Sequence, residues 1–239
     1  MAKKENLLYE WRSVIRDLSS VLHCVNNIRV LQIQGGEPFL HPDLDKVLDF
    51  CAGQSKIWQT DIATNGTIMP TNAMMEKIKT MGIRLRISNY SVSHEKGAAL
   101  HEKCAKLGIV SSIYHFAYGK NEWADLGGID TPREENDEVV RERFFSCAFR
   151  KCLTLENGEL NRCSRIHVAH SLQGFKPRAD DHVDVRESQE LKRRIQWYLR
   201  HVDFPEACRY CLGNTPSNVR RCIPGEQIDT PEHYCAGHK

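Results

Sequence analysis

Helix and strand alternate through the first half of this chain, and that alternation limits its fold more than any other feature. Residues 5–23 place Leu8, Trp11, Val14, Ile15, Leu18 and Leu22 three and four apart, the spacing of an amphipathic helix. Ile28–Ile33 follows as a short, β-branched strand that ends at Gly35-Gly36. His41-Pro42-Asp43 opens a second helix, with Pro42 suited to a first turn and Leu44, Val47, Leu48 and Cys51 on the apolar face. Lys56–Ala63 reads as a strand ending at Thr64-Asn65-Gly66, and a helix capped by Thr71 runs to Met81, where Gly82 stops it. A strand over Arg84–Ser88, a helix over His94–Leu107 and a strand over Ile109–Phe116 complete the series. Strands separated by helices pair in parallel, because each return to the sheet needs a crossover. A doubly wound sheet and a (β/α) barrel both satisfy the pattern, and both bind ligands at the carboxyl ends of their strands. Gly35-Gly36-Glu37, Thr64-Asn65-Gly66 and Ser88-Asn89 occupy those ends. The series begins on a helix, with no strand before it.

The second half has a different character. Of ten cysteines in 239 residues, Cys24, Cys51 and Cys104 are scattered through the first half. Cys147, Cys152, Cys163, Cys208, Cys211, Cys222 and Cys235 crowd the last 93 residues. This density is below the ~8–10% of a disulfide-built secreted scaffold. The net charge of +2 gives no field that points to nucleic acid or to an anionic membrane. No apolar run approaches the ~20 residues of a membrane span, and no signal-peptide pattern follows Met-Ala-Lys-Lys-Glu-Asn. The expected compartment is the cytoplasm, where a cysteine-dense region more often binds a metal or a cluster than forms disulfides.

Tyr118–Asp137, with Gly119, Gly127-Gly128 and Pro132, reads as the boundary between domains. The expected division is a barrel-like domain over 1–118, a linker with a possible last barrel element over 119–146, and a cysteine-rich domain over 147–239. Leu153–Leu155 and Glu159–Arg162 flank Asn157-Gly158 and form a hairpin. Ser188–Leu199 is a helix whose Lys192-Arg193-Arg194 run reads as a solvated face. Ten residues separate Cys147 from Gly158, four separate Gly158 from Cys163, and Cys208 and Cys211 form a C-x-x-C pair. Four thiolates so arranged suffice for an iron–sulfur cluster or a closed zinc site. Cys24, Cys51 and Cys104 read as small buried apolar residues, as His167 and His170 read as surface or core histidines. Cys222 and Cys235 are open: substitutes for a ligand, or members of a second site. At the first strand end, Gly35-Gly36 lets a backbone approach a ligand closely, and the Glu37 carboxylate is suited to an ammonium group.

Gly35-Gly36-Glu37-Pro38, with Phe39-Leu40-His41-Pro42-Asp43-Leu44 after it, resembles the S-adenosylmethionine-binding Gly-Gly-Glu motif of radical SAM enzymes. Thr64-Asn65-Gly66 resembles the next strand end of that family, and Ile87-Ser88-Asn89 the one after. Cys147, Gly158, Cys163, Cys208 and Cys211 fit C-x(9–15)-G-x(4)-C followed by C-x-x-C, the auxiliary-cluster signature of the SPASM/twitch subgroup. The resemblance spans residues 1 to about 212. It implies a partial (β/α)6 TIM-like barrel missing its first strand, followed by a small domain holding an auxiliary [4Fe-4S] cluster. It also implies S-adenosyl-L-methionine bound by Gly35, Gly36, Glu37, Asn65, Ser88 and Asn89. Cys147, Cys163, Cys208 and Cys211 would ligate the cluster, with Cys152 as the substitute ligand. The implied activity is an oxidoreductase that abstracts hydrogen from a small molecule or peptide, with flavodoxin or ferredoxin as electron donor. The other reading is a non-enzymatic zinc- or [4Fe-4S]-binding protein.

The sequence departs from that family in one respect. The C-x-x-x-C-x-x-C triplet that holds the radical-generating cluster is not among these residues. The expectation is that in-frame DNA before Met1 encodes roughly 25–50 more residues, one βα unit whose loop carries the triplet.

Overall fold

The computed structural model describes residues 9–90, 94–116, 123–128, 132–133, 135–166, 177–187, 189–218 and 220–222. The described residues divide into two compact units, one over Tyr9–Trp123 and one from Ala124 onward.

The first unit is α/β. Helix α1 (Trp11–Cys24) precedes strand β1 (Leu31–Ile33), helix α2 (Leu44–Ala52), strand β2 (Thr60–Thr64), helix α3 (Asn72–Thr80), strand β3 (Arg84–Tyr90), helix α4 (His94–Leu107) and strand β4 (Ser111–Phe116). The strands are parallel, in the order β1-β2-β3-β4. The register puts Ile33, Ile62 and Leu85 in one row and Thr64, Ile87 and Ile113 in the next. Side chains alternate across a strand, so both rows share one sheet face. Leu44 and Leu48 of α2, Met75 and Ile78 of α3, and Leu100 and Cys104 of α4 close over that face in a single core. The opposite face carries Gln32, Asp61, Arg84, Arg86, Ser88, Ser112 and Tyr114. Arg84 makes two parallel bonds to Asp61, at 2.7 and 2.9 Å.

Elements end where the local chemistry ends them. Thr71 Oγ1 accepts the Met74 N–H at 3.2 Å and starts α3. Beyond Gly82 the Ile83 N–H returns to Ile78 O, and beyond Gly108 the Ile109 N–H returns to Cys104 O. Lys56 Nζ donates to Leu22 O and Val25 O, satisfying carbonyls that the end of α1 leaves open. The expected strands over Ile28–Ile33, Lys56–Ala63 and Ile109–Phe116 are shorter than periodicity suggests. Only a bridge between Ile28 and Ile57 precedes the β1–β2 ladder. Pro42 stands before α2 rather than in its first turn, because Pro38–Leu40 forms its own 3-10 turn. The start of the helix expected over 5–23 lies outside the described residues.

In the second unit, helix α5 (Asp137–Ser146) runs into a 3-10 turn, Ala148–Lys151. Strands β5 (Thr154–Glu156), β6 (Glu159–Asn161) and β7 (His182–Asp184) form an antiparallel sheet in that order. Helix α6 (Leu191–Arg200) leads to a 3-10 turn, Glu206–Tyr210. The β5–β6 hairpin turns at Asn157 and Gly158, with φ of 50° and 83°, the paired positive φ of a two-residue hairpin. A Cβ on Gly158 would also lie 2.5 Å from the Arg186 guanidinium. Elements beyond the sequence reading include α5, within the segment assigned to the linker and possible last barrel element, β7, and the short strands Trp123–Ala124 and Arg221–Cys222.

Candidate functional site

The four cysteines of the spacing pattern are delivered by three structural elements. Cys147 caps the end of α5, its N–H bonded to Phe144 O at 3.1 Å. Strand β6 ends at Asn161, and Cys163 stands two residues beyond it, in the turn where Ile166 N–H returns to Cys163 O. Cys208 lies within the Glu206–Tyr210 turn, and Cys211 caps it through an N–H bond to Cys208 O. Small apolar groups hold these turns in place. Ile166 and Ala207 pack with Cys163 and Tyr210, while Val140, Phe144 and Phe204 pack with Cys208.

All four cysteines line one solvent-open pocket with about 510 Å³ of space not filled by protein atoms. Burial pushes the Cys163 thiol up to about 11, and the charges of Cys211 and Cys147 push it the same way. Burial also raises Cys208 strongly, with Cys211, Cys163 and Cys147 adding to the effect. Thiolates crowded together away from water repel one another, so without a cation Cys163 and Cys208 favour the protonated thiol. A bound metal reverses that preference and releases the protons. The Gly213 N–H already points at Cys211 Sγ, at 3.2 Å, a donor suited to a thiolate sulfur.

Among the described residues, no three Cys, His, Asp or Glu side chains are drawn together around a single metal ion. A structural zinc holds all four sulfurs ~2.3 Å from one point. A [4Fe-4S] core instead offers each thiolate its own iron, so its ligands ring a wider space. Four cysteines lining one pocket supply the donor set of either group. Two orphaned atoms would suit a bound anionic group: Arg143 Nε and Arg165 Nε are buried without a hydrogen-bond partner among the described residues, and both residues line the pocket.

Cys152 is exposed and does not line this cavity. Cys222 is half-buried and does not line it either, while Cys235, His167 and His170 lie outside the described residues. Cys24, Cys51 and Cys104 are buried in the first unit, as expected of small apolar residues. Burial pushes the Cys51 thiol up to about 12. The arginines around the cysteines are absent from the sequence reading. The available signal was local density: Arg150, Arg162 and Arg165 all fall within three residues of Cys147, Cys152 or Cys163.

At the strand ends of the first unit, Gly35 and Gly36 are exposed, and a Cβ on either would meet nothing within 4 Å. A ligand therefore has room at this backbone. Glu37 turns inward and is 9% exposed. Its carboxylate accepts from the Phe39 N–H at 3.1 Å, the Thr64 hydroxyl at 2.9 Å and the Asn65 N–H at 2.8 Å. An ionised carboxylate has about four acceptor sites, so most of this one is spent tying the β1 end to the β2 end. Asn65 Oδ1 accepts from both the N–H and the hydroxyl of Thr67. Gly66 has a φ of 72°, and a Cβ there would lie 2.8 Å from Gly97 Cα. Ser88 and Asn89 occupy opposite sheet faces, as neighbours in a strand must. Ser88 shares the polar face with Tyr114. Asn89, 1% exposed, lies on the helix-covered face, where its amide donates to His94 O at 3.1 Å. The structure thus joins Glu37, Thr64 and Asn65, and separates Ser88 from Asn89.

Among the described residues, no helix is long and apolar enough to cross a membrane. Compared with protein-family models and with curated proteins, the chain has no match.

Proposed function

We propose that this chain is an iron–sulfur protein of the radical SAM type, in which Cys147, Cys163, Cys208 and Cys211 hold an auxiliary [4Fe-4S] cluster. One observation carries the reading: cysteines 64 positions apart at the extremes, on three different elements, line one pocket. The sheet supports it. A doubly wound sheet reverses its strand order at a switch point, whereas β1-β2-β3-β4 is sequential and α2, α3 and α4 cover one face. That order supports reading the sheet as a segment of a (β/α)6 barrel.

In this reading S-adenosylmethionine binds at the strand ends, against the open backbone of Gly35 and Gly36, with Ser88 on the polar face. Glu37 acts chiefly by fixing the Gly35-Gly36 loop to Thr64 and Asn65, in place of the direct ammonium contact expected from sequence. Asn89 holds α4 against the sheet rather than contacting the cofactor. Hydrogen abstraction would need the radical-generating cluster, whose C-x-x-x-C-x-x-C ligands are not among these residues; what these residues would do is position and shield the bound groups. The substrate is a small molecule or peptide, and the electron donor a low-potential flavodoxin or ferredoxin.

The test is anaerobic loading of the full chain with ferrous iron and sulfide, with zinc in a parallel sample. The expected product is brown, contains iron and acid-labile sulfide in equal amounts at one [4Fe-4S] per chain, and becomes paramagnetic on reduction. Stoichiometric zinc uptake without iron–sulfide uptake would overturn the proposal in favour of a zinc protein.

A further inference from the structure

The cysteine cavity has a second ring of residues. Arg143, Arg150, Arg162 and Arg165 all line it. Arg143 is neutralised by Glu135, whose carboxylate accepts two of its N–H groups. The other three have no carboxylate partner among the described residues. Arg162 is buried at 7% exposure and donates to backbone carbonyls, Tyr198 O and His201 O. Its guanidinium carbon lies 4.5 Å over the Tyr198 ring. Arg165 donates to Gly127 O and Gly128 O. Among the described residues, the Arg150 side chain has only a ring contact, 5.9 Å from the Phe145 centroid. Carbonyls and rings orient a guanidinium without cancelling its charge. Burying a cation without a counter-ion is costly, yet the fold does so beside four groups that become anionic when they bind metal. The orphaned Nε atoms of Arg143 and Arg165 each leave a buried N–H with no acceptor, a loss that a bound acceptor would remove.

We infer that these arginines form an electropositive shell that raises the reduction potential of the cluster, fitting it to take up an electron. The inference rests on the proposed cysteine ligation. Arg150, Arg162 and Arg165 supply uncompensated positive charge, while Arg143 and Arg165 donate Nε–H to sulfur. Four thiolates outweigh the positive charge of the core, so the oxidised cluster is already anionic and reduction makes it more so. Nearby cations and N–H···S bonds favour the reduced form, and both are recognised determinants of cluster potential. The step is a one-electron reduction with the donor a low-potential flavin or iron–sulfur protein, and it makes or breaks no bond. These are positioning residues, since none ligates iron.

The test is a potentiometric titration of the anaerobically loaded full chain, with the reduced cluster followed by electron paramagnetic resonance. Arg165→Gln removes a charge and an Nε–H, Arg165→Lys restores the charge alone, and Arg150→Gln removes a charge from a side chain with no hydrogen bonds to lose. The expected result is a tenfold fall in the ratio of reduced to oxidised cluster at fixed potential in each Gln variant, about 59 mV for one electron. Arg165→Lys should lie between Arg165→Gln and the parent. A loaded parent whose midpoint is unchanged in both Gln variants overturns the shell alone. A parent that takes up no iron overturns the cysteine ligation and the shell with it. Should Arg165→Gln fail to fold, Arg150→Gln decides the charge effect by itself.

Discussion

At position 37 a carboxylate is buried so that two strand ends can share it. The Phe39 and Asn65 N–H groups and the Thr64 hydroxyl all turn to Glu37. Each donor stranded by removing a buried acceptor costs about 1–3 kcal/mol. Glu37→Ala is therefore expected to destabilise the chain by roughly 2–4 kcal/mol in urea unfolding, and a loss under about 0.5 kcal/mol would show that the carboxylate does not hold the loops. Cys51 makes a separate residue-scale case. Its folded pKa is raised from 9.0 to about 12 by burial, so the fold favours the protonated thiol. That contribution is whole below pH 9.0 and is lost as the pH climbs toward 12. Brief alkylation of the native chain at mildly alkaline pH should therefore label exposed Cys152 and spare Cys51, as mass spectrometry of the digest would report. Labelling of Cys51 at the rate of Cys152 would contradict its burial. Sequence alone could name Glu37, Asn65, Ser88 and Asn89 as strand-end residues. It could not give their directions, because one residue of register decides which face each side chain takes.

Elements were legible where a local signal defines them. The Asn157-Gly158 hairpin and the stops at Gly82 and Gly108 follow from backbone chemistry within a few residues. The strand lengths did not follow, since β1 is as short as its pairing with Thr60–Ile62 allows. Helix α5 was hidden by its charge. Its sequence DEVVRERFFS buries only Val140 and Phe144, too few apolar positions to register as a helical stripe. A single cap then matters for α5, which ends at Cys147. Asn136 Oδ1 accepts the Val139 N–H at 3.0 Å, and losing such a cap costs about 1 kcal/mol. Asn136→Ala is expected to lower stability by that amount and to weaken iron retention against a chelator, with Asn136→Asp restoring both. Retention identical to the parent in the Ala variant would separate α5 from the cysteine site.

At the scale of the whole molecule, the two units answer to different constraints. The first is held by an apolar core between three helices and a sheet, and its order was readable from periodicity. The second packs small apolar clusters around its cysteines, and metal bound there would add to its folding free energy. Iron–sulfide loading should therefore slow amide exchange around residues 138–166 and 205–214, and leave Thr60–Thr64 and Arg84–Tyr90 unchanged. Uniform protection across the chain would argue against a local cluster. The spacing of the cysteines was legible in the sequence, whereas the arginines around them were not, because nothing in a linear pattern says which charges face inward.

The most direct measurement is the iron and acid-labile sulfide content of the loaded chain with one cysteine changed at a time. Cys208→Ala should lose most of its iron and the paramagnetic signal of the reduced cluster, and Cys147→Ala, Cys163→Ala and Cys211→Ala should behave alike. Cys51→Ala and Cys152→Ala should retain the iron of the parent, because neither residue lines the cavity. Equal iron in the parent and in Cys208→Ala would contradict the account.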